Sequence, residues 1–269
     1  MTGDGQGAPG GAPDPVHDRA LLLLGRKRNH VLTLEEVQRY GRDSFGDADH
    51  VSVYGLPPAE WHGRGIRLLG RTAVECTRDV LADAIGREVA MEVGQLSPVP
   101  RIVVLDPFAG SCNTLHWILK HLPGSVGLGF ELDPMVFELA GRNLALLGRP
   151  IELLHGGYET LLSERPPAPD AALVVFVAPP WGTALDEREG LDLEATTPPI
   201  PEVIDRVLGI FPARRLLFVI QVHEKVEPAS LREVEGRLHR TRLHVFRLDA
   251  PGRNHGVLLG TRGWDLRSP

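Results

Sequence analysis

The chain has 269 residues, a formal net charge of −6 and 42% hydrophobic content. That is enough for one large α/β domain with a modest addition, and no apolar run approaches the roughly 20 residues of a membrane helix. A negative balance disfavours a protein that wraps a long polyanion, since such proteins carry a basic face; no membrane and no extended nucleic acid is therefore expected as partner.

Residues 1–17 open with MTGDGQGAPGGAPDP, rich in Gly and Pro and nearly free of apolar side chains, and are expected to form a flexible tail because they cannot bury enough surface to offset their ordering entropy. The leader lacks the basic-then-apolar form of a secretory signal. The two cysteines, Cys76 and Cys112, show neither metal-ligand spacing nor a disulfide framework, so a reduced, cytoplasmic setting and no metal site are expected. Residues 18–64 read as a helical N-terminal extension. Within it TLEE has the capping-box form and places a helix cap at Thr33, while the basic Arg26-Lys27-Arg28 run reads as a solvated loop. After the turn-like YGLPPAEWHGRG, the main domain spans 65–269. TRDVLADAIGREV is its first helix, with Thr77 as the expected cap.

From there short strands alternate with helices. The strands are RIVVLD, VGLGFEL, IELLHG, AALVVFVA, RLLFVIQV, TRLHVFRL and GVLLGTRG, and TLHWILKHL, PMVFELAGRNLALLG and IPEVIDRVLGIF are the intervening helices. This alternation predicts right-handed βαβ crossovers and an α/β, Rossmann-like fold: a seven-stranded, mostly parallel sheet that ends in an antiparallel hairpin.

The chemistry starts at LDPFAGSCNT, residues 105–114, where a strand ends in an acid, a Gly-containing loop follows and a helix begins at once. Open α/β sheets place ligands outside the carboxyl ends of their strands in this manner. A dinucleotide fingerprint would need G-x-G-x-x-G against a pyrophosphate; this loop has only Gly110 and carries Asp106 ahead of it. A carboxylate there repels a diphosphate and suits a cationic ligand. One strand later GFELDP puts Glu131 at a strand end, the position from which an acid takes the hydroxyls of a ribose. Two acids at successive strand ends point to a nucleoside cofactor without phosphates.

DPFAGSCNT, FELDP and APPWG together resemble the motifs of class I S-adenosylmethionine-dependent methyltransferases, and within them the trimethylguanosine synthase group, the RNA cap guanine-N2 methyltransferases. The resemblance runs from about Gly65 to Gly263. It implies S-adenosylmethionine as cofactor, with Asp106, Phe108, Ala109, Gly110, Asn113 and Thr114 along its methionine part, Glu131 on its ribose and Thr77 at a helix start beside it. It also implies Ala178, Pro179 and Trp181 beside the transferred methyl and the acceptor.

Some residues depart from that pattern. Cys112 stands where relatives have Gly and reads as packing. HGGYE has Gly157 where an acid usually binds the adenine amine, which leaves Tyr158 to hold the adenine. Ala178 lacks the side-chain oxygen that amino-methyltransferases with Asp or Asn offer to the target nitrogen, so backbone carbonyls of Ala178 and Pro179 are the remaining acceptors. Trp181 on its proline-stiffened loop offers a flat face for a planar acceptor, and His223 in QVHEK is the candidate base. Three readings stay open: N-methylation of a nucleoside-like or other small molecule, a non-methylating cyclase of the aziridine-forming type, and a cofactor-binding subunit that needs a partner chain.

Overall fold

The computed structural model describes residues 18–96, 100–186, 188–212, 214–249 and 253–264; the tail expected over residues 1–17 lies outside them. A π-helical turn, Ala20–Leu24, precedes helices α1 (Leu34–Phe45), α2 (Pro58–Gly63), α3 (Gly70–Glu75) and α4 (Asp79–Val93). The alternating part follows: β1 (Ile102–Asp106), α5 (Asn113–His121), β2 (Val126–Glu131), α6 (Pro134–Leu147), β3 (Ile151–His155), α7 (Tyr158–Glu164) and β4 (Ala172–Val177). Two short strands, β5 (Leu185–Asp186) and β6 (Gly190–Leu191), then lead to α8 (Ile200–Ile210), β7 (Leu216–His223), α9 (Pro228–Glu235), β8 (Arg240–Val245) and β9 (His255–Arg262).

Seven strands form one sheet in the order β3-β2-β1-β4-β7-β9-β8, parallel as far as β7. The final pair does form antiparallel, but β9 inserts between β7 and β8 and pairs with both. β1, β4 and β7 are buried along their whole length, as strands covered by helices on both faces must be, and this explains their unbroken apolar runs. Alternate residues serve opposite layers. Val175, Val177, Phe218 and Ile220 pack with Val203 and Ile204 of α8, while Val174, Phe176, Leu217 and Val219 pack with Ile85 and Val89 of α4 and Leu115 of α5. Strand order reverses between β1 and β4, which opens a crevice at their carboxyl ends.

The N-terminal helices have a core of their own, including Leu22, Leu32, Val37, Tyr40, Trp61, Ile66 and Leu68, with Leu147 of α6 packed against it. The capping box at Thr33 is present in both directions. The basic run is tied down locally: Lys27 pairs with Glu36, and Arg28 donates to the Leu23 carbonyl at 2.8 Å. Asn143 of α6 receives the Arg67 N–H at 3.0 Å and returns its amide to the Arg67 carbonyl at 2.8 Å, joining the N-terminal helices to the sheet layers.

The cap expected at Thr77 is not formed. α4 begins at Asp79 with Arg78 in the cap position, and the Thr77 hydroxyl donates instead to Gln221 Oε1 of β7 at 2.8 Å. Arg78 is extended (ψ 159), so Thr77 sits one residue too far back for its oxygen to meet the first free amides.

Candidate active site

Asp106 ends β1 almost fully buried, 2% exposed, and accepts the Phe108 N–H at 3.1 Å. Burial pushes its pKa up to about 7, and neighbouring Glu131 adds to the rise. Glu131 ends β2 and grips the turn from the far side, taking the Gly110 N–H on one oxygen at 3.0 Å and the Asp133 N–H on the other at 2.8 Å. Burial raises its pKa too. Among the described residues neither acid forms an ion pair. A buried carboxylate beside a half-buried one, with Arg71 acting on Glu131 only from a distance, is costly unless a ligand supplies charge or further donors.

The loop between them turns through left-handed backbone at Gly110 (φ 49) and Cys112 (φ 61). A Cβ built on Gly110 would approach nothing closer than the Phe108 carbonyl at 3.9 Å, so the space over this turn is open. Cys112 is wholly buried in the layer under α4 and α5, in keeping with a packing role. Ala109 also faces inward, since its Cβ leaves no room for one on Gly129 (2.9 Å) and its N–H goes to the Phe130 carbonyl at 3.0 Å. Phe108 meets Tyr158 edge to face at 5.7 Å, and Tyr158 opens α7, behind exposed Gly157. Thr114 is buried in the first turn of α5.

Asn113 is committed to the protein itself. Its two amide hydrogens go to the Thr77 carbonyl (2.7 Å) and Asp79 Oδ1 (3.1 Å), and its oxygen takes the Tyr54 N–H at 2.6 Å. Asp79, also buried, accepts from Trp117 Nε1 at 2.6 Å and from the Gly55 N–H at 2.9 Å. The side chain thus shapes the loop from beneath.

The Pro-Pro-Trp loop leaves β4 beside this turn. Ala178 is half-buried, Pro179 buried and Trp181 half-buried. Trp181 stacks on His255 of β9 at 5.2 Å and 22°, and meets His223 edge-on at 6.3 Å. His223 and His255 face each other across the β7–β9 register, with Gln221 two residues back on the same side. Thr77 occupies Gln221 Oε1, so the Gln221 amide faces His255 Nδ1 at 3.4 Å, and the His255 proton belongs on Nε2. Burial first, then the electrostatic influence of the adjoining His223 ring, brings the His255 pKa down to about 4, which leaves a neutral ring at neutral pH. His223 Nδ1 accepts the Lys225 N–H at 3.2 Å.

The structure therefore brings Asp106, Phe108, Gly110, Glu131 and Tyr158 around one turn, and Ala178, Pro179 and Trp181 around a neighbouring aromatic wall. Sequence reasoning missed Tyr54, Asp79, Gln221 and His255. Only Tyr54-Gly55 carried a local signal, a turn dipeptide with no indication of what it touches. A groove of about 930 Å³ between α7 and α8, lined by Glu159, Ser163, Glu202 and Arg206, lies on the helical face and contains none of these groups. Among the described residues no three His, Cys, Asp or Glu side chains are placed to share a metal ion, and no helix is long and apolar enough to cross a membrane.

No protein-family model matches the chain. No curated protein matches it either. Solved structures do share its fold. A structure titled "METTL16 MTase domain" matches with 17% identity and a TM-score of 0.53, over 93% of this chain and 93% of that one. A second, "delta-N METTL16 MTase domain", matches with 18% identity and a TM-score of 0.53, over 87% of this chain and 98% of that one. At such identities the likeness establishes the Rossmann-like methyltransferase fold.

Proposed function

We propose that the protein is an S-adenosylmethionine-dependent methyltransferase that N-methylates an amine of a nucleoside-like or other small planar molecule. The observation that carries this reading is the pair Asp106, buried, and Glu131, half-buried, carboxylates at adjacent strand ends on either side of the open Gly110 turn. A diphosphate would be repelled there, whereas a ligand with an ammonium group and ribose hydroxyls supplies a cation and donors beyond the backbone amides that the two acids already accept. Asp106 and Glu131, with the loop over residues 106–114, would hold the cofactor, which supplies an activated methyl group when bound. Tyr158 and Phe108 wall the same turn.

The remaining residues orient the acceptor. Trp181, braced on its far face by His255, presents a rigid ring, and such stacking is worth about 1–3 kcal/mol per base where alanine substitution has measured it. The carbonyls of Ala178 and Pro179 can accept from an amine N–H and aim its lone pair, in place of the absent side-chain oxygen. His223, buried edge-on against Trp181, would take up the proton. Displacement chemistry of this kind depends mainly on alignment, which these groups supply.

The test is calorimetry with S-adenosylhomocysteine, followed by incubation with labelled S-adenosylmethionine and metabolite extract. Saturable binding and label in a small basic product are expected. Absence of binding by the wild-type chain would refute the reading.

A further inference from the structure

Among the described residues, the N-terminal extension hydrogen-bonds the loop over residues 106–114 through Tyr54. Val53 and Leu56 pair with each other in both directions, at 3.1 and 3.0 Å, and close a two-residue turn over Tyr54 and Gly55. Both central residues have positive φ, 60° and 82°, as the mirror-image tight turn requires. Gly accepts that backbone readily; a bulky aromatic residue rarely does, and strained backbone of this kind persists only where the surroundings over-determine it.

The surroundings here are the cofactor loop. The Tyr54 N–H goes to Asn113 Oδ1 at 2.6 Å, and its hydroxyl is donated to the Ser111 carbonyl. The Gly55 N–H goes to Asp79 Oδ2 at 2.9 Å. The ring is buried edge-on against His116 of α5 at 5.7 Å. Ser111 lies between the two left-handed residues of the loop, Gly110 and Cys112, so its carbonyl direction decides how the turn under the open space is shaped. Burial raises the phenol pKa well above its ordinary value and keeps the hydroxyl protonated, hence a donor.

We propose that Tyr54 is the positioning residue of the cofactor site: inserted from the N-terminal extension, it sets the Gly110–Cys112 turn that receives the amino-acid half of S-adenosylmethionine. The proposal rests on the cofactor reading above. Tyr54 touches the loop from the protein side, so its effect passes through the backbone of Ser111 and the side chain of Asn113. Glu131, which would hold the ribose end from β2, meets this turn at the Gly110 N–H, on the side away from the Ser111 carbonyl that Tyr54 grips. That separation distinguishes positioning from general support of the fold.

The experiment compares two probes by calorimetry on the full chain. S-adenosylhomocysteine carries the amino-acid half; 5′-methylthioadenosine keeps the nucleoside and lacks it. Tyr54→Phe retains the ring and removes the donor to Ser111. It should weaken S-adenosylhomocysteine about tenfold, or about 1.4 kcal/mol, and leave 5′-methylthioadenosine unchanged. Tyr54→Asn, which tolerates left-handed backbone, should give the same selectivity with a larger loss and decides the matter if the Phe variant does not fold. Equal weakening of both probes, or no weakening of either, would overturn the proposal while the cofactor reading stands. Failure of the wild type to bind either probe would instead remove the cofactor reading, and the proposal with it.

Discussion

Asp106 shows how one buried side chain links stability to binding. Its folded pKa, about 7, lies above the ordinary 3.8, so its contribution to stability is fully present below pH 3.8 and is lost as pH rises through 7. The ligand-free chain should therefore weaken across that window, by at most about 4 kcal/mol from this group, and Asp106→Asn should flatten the change in a denaturant series at several pH values. A cationic ligand needs the ionised form, so its affinity should climb over the same interval. Glu131 differs because it already holds two backbone amides. Glu131→Ala should cost S-adenosylhomocysteine about 1.5–3 kcal/mol by calorimetry, the range for hydrogen bonds to a charged group, and also loosen the Gly110 turn. Trp181 lies beyond those contacts, braced by His255. Trp181→Ala should leave cofactor affinity intact and cut turnover on the true acceptor about 100-fold, since small misplacements at a displacement centre cost that much. Equal turnover would exclude a stacking role.

At the scale of elements, the close contact of α4 and α5 sets the height of the site. Gly86 of α4 lies where an added Cβ would come within 2.8 Å of the Trp117 carbonyl and 2.7 Å of the His121 ring. Helix propensity alone makes Gly86→Ala stabilising by about 1 kcal/mol. Here overpacking decides the sign, and the substitution should lower stability by about 1–3 kcal/mol in chemical denaturation. Pushing α5 outward also moves Asn113 and Trp117 away from Asp79, so weaker binding of S-adenosylhomocysteine should accompany the lower midpoint. At the far edge, β8 is fastened to α4 by Arg242 on Glu88 (2.8 Å) and by Arg240 on Glu92, two acids that would otherwise be buried without a cation.

For the whole molecule, the N-terminal extension and the sheet layers are bound together by polar contacts as well as by packing. Asn143 with Arg67, Asn113 with Tyr54, and Arg78 of the α4 cap with Asp249 of the β8–β9 connection join distant parts of the chain around the strand ends. Deleting residues 1–64 should leave Asn113 and Asp79 short of donors and expose Ile66, Leu68 and Leu147. The shortened chain should then melt lower and lose measurable cofactor binding, as read by circular dichroism and calorimetry. Unchanged affinity in a shortened chain that still folds would show the extension to be dispensable for the cofactor.

The sequence by itself determined the order of strands and helices after residue 100 and the acids at the ends of β1 and β2. The reason is physical: strands buried on both faces need unbroken apolar runs, and a strand-to-helix turn has to be built from neighbouring residues. Thr33 was legible for the same reason, since a capping box spans only four residues. Short α7 and α9 carried too little periodicity to be read. Tertiary structure alone decided the rest. Tyr54 meets the loop from 59 positions away, Thr77 abandons its helix for Gln221 144 positions on, and His255 finds Trp181 because β9 inserts beside β7 rather than at the sheet edge. Local pattern specifies which residues end at a strand tip, but which side chains meet there depends on the sheet order and on how the extension docks, both settled by packing between segments far apart in the chain.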